Sequence, residues 1–85
     1  MGDIIGLDEA IAELSQGRPR FERLLRIVES FFGPPRQRGS HHIFRTPWPG
    51  DPRLNLQRDG NEAKPYQVRQ VLAALVRLRA TRQAP

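Results

Sequence analysis

The two histidines of this 85-residue chain are adjacent, in the run Gly39-Ser40-His41-His42-Ile43-Phe44-Arg45. On a β-strand successive side chains point to opposite faces, so the pair cannot share one environment. If Phe44 points into a core, His42 and Ser40 share that side, and His41, Ile43 and Arg45 look out from the opposite face. An exposed imidazole flanked by Arg38 and Arg45 is suited to general acid or base chemistry beside a phosphate. Imidazole titrates near neutrality, while guanidinium stays charged throughout.

Other chemistries fit less well. Adjacent strand positions chelate a metal poorly, there is no cysteine, and Asp51 and Asp59 lack a ligand spacing, so neither a metal nor a small-molecule cofactor is expected. Ser40 sits beside the pair, but adjacency along a strand prevents triad geometry, and no Gly-x-Ser-x-Gly elbow or phosphate-binding glycine loop is present. A plainer alternative stands beside catalysis: two ordinary polar strand residues. Imidazole with guanidinium matches metal-independent cleavage of RNA. There the 2′-hydroxyl attacks the adjacent phosphorus, one group removes its proton, and cations stabilise the developing charge. DNA, lacking that hydroxyl, is excluded by the same mechanism.

The charge distribution favours a polyanion. The formal charge is +5, from 14 Lys and Arg against 9 Asp and Glu. Residues 1–17 hold Asp3, Asp8, Glu9 and Glu13 and no base, for −4, whereas residues 18–85 carry +9. Of the 14 bases 13 are arginine, whose planar fork makes two hydrogen bonds to one phosphate; a coding sequence rich in G and C would produce the same bias. RNA, DNA or an acidic protein are the candidate partners.

The elements that must position these residues follow from periodicity. Leu7, Ala10, Ile11 and Leu14 predict a short amphipathic helix with Asp8 as its N-cap, closed by Gly17. Phe21, Leu24, Leu25, Val28, Phe31 and Phe32 predict a second helix, begun near Pro19 and ended by Gly33-Pro34-Pro35. From Arg36 to about Arg58 the chain reads as a three-stranded antiparallel meander. Its components are a short strand at 36–39 bent at Gly39, a strand through Ile43 and Phe44, a proline-rich turn at 47–52, and the alternating Arg53-Leu54-Asn55-Leu56-Gln57. Trp48, in that turn, is expected either to plug the sheet edge or to stack on a base or partner. Val68, Val71, Leu72, Leu75 and Leu78 predict a final helix opened by Pro65.

Both long helices must cover one face of the small sheet, because neither has another place to bury its apolar stripe. The fold class is therefore α+β, a small two-layer domain of order α-β-β-β-α preceded by a short acidic helix. The expected divisions are an acidic arm or helix at 1–17, the domain at 18–80, and a disordered tail at 81–85. With one small core, 38% hydrophobic residues and no cysteine, disulfide stapling and cysteine-based zinc sites are excluded. No apolar run is long enough to span a bilayer and the first residues do not resemble a signal peptide, so no membrane partner and a cytoplasmic location are expected.

Gly39-Ser40-His41-His42-Ile43-Phe44-Arg45, with Asn55-Leu56-Gln57 and Ala63-Lys64-Pro65-Tyr66-Gln67-Val68-Arg69-Gln70-Val71, resembles the HicA toxins of bacterial toxin–antitoxin pairs over about residues 20–78. The resemblance implies a fold like the double-stranded-RNA-binding domain and an mRNA interferase that needs no metal and is neutralised by a HicB-type antitoxin. It also implies that His41 is the catalytic histidine, with His42 as the second candidate. Gly39 and Ser40 come from the same motif, and Arg38, Arg45 and Lys64 join them as RNA contacts by charge and position. Two competing functions remain: a non-catalytic RNA-binding module on the same surface, and a protein-interaction domain whose basic face receives an acidic partner.

Overall fold

In the computed structural model, residues 5–49 and 53–83 are described. The order is α1 (Leu7–Gln16), α2 (Phe21–Phe32), β1 (Arg36–Arg38), β2 (His41–Phe44), β3 (Leu54–Gln57) and α3 (Pro65–Gln83). The three strands form one antiparallel sheet of order β1-β2-β3, and α2 packs on β2 while α3 packs on β3. This is the expected α+β arrangement, with helices on one sheet face and the other face open.

The core forms where the apolar stripes meet. Phe21, Leu24, Ile27 and Val28 of α2 pack with Phe44, Leu54 and Leu56 of the sheet and with Val68, Val71 and Leu75 of α3. Ile27 falls outside the stripe anticipated for α2, yet it is fully buried. The stripe is broad because α2 contacts more than the sheet. Gly33 stops α2 at φ 83°, and its N–H bonds the Glu29 carbonyl at 3.0 Å; only glycine takes this backbone conformation without strain.

Three local expectations need correction. Asp8 does not cap α1: Gly6 holds the N-cap position, and Asp8, inside the first turn, accepts from Arg79 Nη1 of α3 at 3.2 Å. Of the two forms expected for the acidic segment, arm or short helix, the helix is the one that forms. It lies on α3 and buries Ala10 and Leu14 within the common core, because its apolar face matches one left uncovered on α3. Residues 81–83 are helical rather than a disordered tail, since α3 runs to Gln83; Ala84 and Pro85 lie outside the described residues. Gly39 bends no strand. It is the first residue of a two-residue hairpin turn, at φ 57°, between the partners Arg38 and His41. A positive φ there, with none at Ser40, is the pattern of a type II′ turn, whose twist matches the flanking strands. Asp3 of the acidic segment and residues 50–52 of the proline-rich turn also lie outside the described residues.

The loop ahead of α3 is tied to the linker ahead of α2. Phe21 N donates to Asn61 O at 3.0 Å and Ala63 N to Pro19 O at 3.4 Å, and Arg18 pairs with Glu62 at 2.6 Å. These bonds fix the start of α3 relative to the start of α2. Pro65 is the first residue of α3, as its missing N–H allows. Among the described residues no helix is long and apolar enough to cross a membrane.

Candidate functional site: the open sheet face

The hairpin turn sets the register, and the register sets which side chains meet. Arg38 pairs with His41 and Arg36 with Ile43 across β1 and β2; His41 pairs with Gln57 and Ile43 with Asn55 across β2 and β3. Alternation then puts Arg36, Arg38, His41, Ile43, Asn55 and Gln57 on the open face, and His42, Phe44, Leu54 and Leu56 toward the helices. Burial agrees: Phe44 and Leu56 are fully buried, while Arg36, Arg38, His41 and Asn55 are exposed.

The histidines therefore have different surroundings. His41 Nδ1 lies 3.0 Å from Asn55 Oδ1, the diagonal neighbour on β3. An amide oxygen only accepts, so in this contact Nδ1 carries the proton and Nε2 presents a lone pair to solvent. His42 is half-buried, its ring meeting Phe21 edge-on at 5.5 Å, and Phe21 in turn carries the Arg58 guanidinium 5.0 Å from its centroid. His42 Nδ1 is out of solvent with no hydrogen-bond partner. Nδ1 so placed cannot exchange a proton with a bound ligand, and the ring as a whole lies on the face opposite Arg38 and His41. Of the two, His41 has the geometry for acid–base chemistry.

Ser40 departs from the expected side. As a turn residue it escapes strand alternation, and its Oγ accepts from Gln57 Nε2 at 3.1 Å, on the face of His41. Arg38 stands directly across from His41. Arg45 lies four residues from His41 along the chain, about 13 Å at the rise of a strand, beside Phe31 and Phe32. It is therefore too far away to contact a phosphate held at His41. Lys64 is half-buried, and its carbonyl accepts from Gln67 N at 3.0 Å and Val68 N at 3.1 Å, so its backbone opens α3. The structure thus gathers Arg38, Gly39, Ser40 and His41 in one place and leaves Arg45 and Lys64 outside it.

Three contributors were not singled out by residue type. Asn55 and Gln57 are the polar positions of the alternating β3 segment, and that alternation is the signal that could have found them. Gln67 is the buried polar residue of the core, 1% exposed, and carries no such signal. Its Oε1 accepts from Gln57 N at 3.3 Å, satisfying an N–H on the outer edge of β3. Its Nε2 donates to Tyr66 Oη at 3.2 Å.

Charge is sorted between the two faces. Away from the open face, four arginines are paired with acids: Arg23 makes a two-pronged pair with Glu13, Arg79 meets Asp8, Arg18 meets Glu62, and Arg58 meets Glu22. Arg77 lies 4.5 Å from the Trp48 ring centroid and Arg82 lies 5.8 Å from that of Phe31. Trp48 itself is half-buried against Phe32, 5.9 Å away edge-on, and so acts as the plug between turn and helices. The strands themselves contain no acidic residue, and among the described residues Arg36 and Arg38 have no acidic partner. The charges of Arg36 and Arg38 are therefore left unneutralised beside His41. Among the described residues no group of three or more His, Cys, Asp or Glu converges as metal ligands would.

A small α+β domain presenting a basic sheet face with one oriented imidazole is the class of protein this geometry defines. No protein-family model, no curated protein and no solved structure matches the chain.

Proposed function

We propose that the chain is an endoribonuclease of the HicA toxin kind, a metal-independent mRNA interferase acting in the cytoplasm and held inactive by a HicB-type antitoxin. The observation that carries this reading is His41, with Nδ1 on Asn55 and Nε2 free, directly across the hairpin from the unpaired Arg38.

In this mechanism RNA lies across the open face. His41 Nε2 takes the proton of a 2′-hydroxyl as its oxygen attacks the adjacent phosphorus. The P–O5′ bond breaks, leaving a 2′,3′-cyclic phosphate on one fragment, and the departing 5′-oxygen takes a proton from water. Arg38 faces the charge that develops on the phosphoryl oxygens, where a pre-placed cation lowers the barrier most. Asn55 holds the ring so that its basic nitrogen points at the substrate. An antitoxin suited to this surface is acidic and covers His41.

The test is RNA cleavage by the purified chain in EDTA, with wild type, His41→Ala and His42→Ala compared on one gel. Cleavage by wild type and His42→Ala, lost in His41→Ala, is the expected pattern. Binding without cleavage by wild type would instead make the chain a non-catalytic RNA-binding module.

A further inference from the structure

Among the described residues Tyr66 is one of two large hydrophobic side chains left exposed, at 46%, the other being Val76. It is the second residue of α3, and its hydroxyl is held by the amide of the buried Gln67, which also holds Gln57 N on the edge of β3. Gln57 pairs with His41, and His41 with Arg38. Arg38, His41 and Gln57 thus form one row across the sheet, and Gln67 ties Tyr66 to the β3 end of that row through the Gln57 backbone. The ring is held at both ends, by the helix backbone and by its hydroxyl, while the residue stays 46% exposed.

The surroundings of the ring favour a nucleobase over a protein. A protein-docking patch is contiguous and apolar, whereas Tyr66 is flanked by exposed Pro65, Arg69 and Gln70. Arg69, three residues on along the helix, shares its face and has no acidic partner among the described residues. An isolated aromatic beside a cation is the pairing that single-stranded nucleic acids use, the base stacking on the ring while the guanidinium takes the phosphate. We propose that Tyr66 is a base-stacking platform for a single-stranded RNA that crosses the sheet along the row Arg38, His41, Gln57, with an unpaired base on the ring beyond β3.

This inference rests on RNA being the ligand of the open face, and it narrows the substrate. A base within a duplex has no free face to lay on the ring, so the site is one for unpaired RNA.

The experiment measures binding of a fully 2′-O-methylated single-stranded 12-mer, which lacks the attacking hydroxyl and stays intact, to wild type, Tyr66→Ala, Tyr66→Phe and Tyr66→Leu at several salt concentrations. Tyr66→Ala should weaken binding by about 5- to 150-fold, the range for loss of one stacked base. Tyr66→Phe should bind within about twofold of wild type, and the salt dependence of Tyr66→Ala should be unchanged, because no phosphate contact is lost. Tyr66→Leu, which keeps apolar bulk without a π-face, should match Tyr66→Ala and decides the matter if the alanine variant folds poorly. Equal binding by wild type and the leucine variant overturns the platform, assigns the ring to a protein contact and leaves the RNA site standing. No binding by wild type, even at low salt, removes the RNA reading and the platform with it.

Discussion

His41 and Asn55 face each other diagonally across β2 and β3, with Nδ1 and Oδ1 3.0 Å apart. That single contact separates two otherwise similar histidines, since it fixes the ring and tautomer of one while the half-buried His42 faces the helices and packs on Phe21. It also makes Asn55 a positioning residue. Asn55→Ala should lower the cleavage rate by roughly tenfold to a hundredfold with little change in RNA affinity, a loss of the size typical for ligand-orienting partners. Asn55→Asp should restore much of the rate and move the acid limb of the pH–rate profile upward, because a carboxylate stabilises the imidazolium and leaves less free base at low pH. A profile identical to wild type would mean that Asn55 does not govern His41.

His42 should behave oppositely. Its ring packs edge-on against the fully buried Phe21, a contact worth about 1 kcal/mol beyond area burial. His42→Ala should lower stability to chemical denaturation by about 1–2 kcal/mol while leaving cleavage per folded molecule intact. Loss of cleavage in a variant of wild-type stability would transfer the catalytic role to His42.

The sorting of charge gives a paired test. Arg38→Ala should weaken RNA binding and reduce the magnitude of the slope of log affinity against log salt by about 1, as expected when one phosphate contact is lost. Arg79→Ala, which removes a cation paired with Asp8 on the helical side, should leave the slope unchanged although the net charge falls equally. Equal slopes for the two variants would show that net charge, not the open face, binds RNA.

Stability at low pH should depend on Glu13. The Arg23 guanidinium hydrogen-bonds its carboxylate and holds its pKa below the usual value of 4.5, with desolvation opposing. A carboxyl whose folded pKa lies below its unfolded one adds stability above the unfolded value and loses it as pH falls through the folded one. Both side chains are 37% exposed, so solvent screening limits the contribution to about 0.5 kcal/mol. Glu13→Gln should be less stable than wild type at pH 7 by that amount, with the difference lost as pH falls through the lowered folded-state pKa of Glu13. A difference that persists below that pKa would mean the pair contributes by packing rather than by charge.

Much of this was legible in the residues themselves. The stripe of α2, the stop at Gly33-Pro34-Pro35, the start of α3 at Pro65 and the alternation of β3 are local: each depends on side-chain spacing, a fixed proline φ or a glycine at positive φ, and needs no distant partner. The opposite facing of His41 and His42 followed from the same strand geometry once Phe44 was assigned to the core.

What the residues alone did not decide is which side chain meets which across elements. The union of His41 with Asn55 depends on the register between β2 and β3, set by the shared core of Phe44, Leu54 and Leu56. Ser40 reaches the face of His41 because a two-residue turn suspends alternation. Gln67 looks like any polar helix residue until β3 presents an unpaired N–H at its edge; a buried amide is then the partner that avoids a desolvation penalty. Helix α1 is legible as a short amphipathic helix, but its docking on α3 and the pairing of Asp8 and Glu13 with Arg79 and Arg23 are not. Local spacing determined the elements and their faces; pairing across long chain separations, which no periodicity encodes, decided the site.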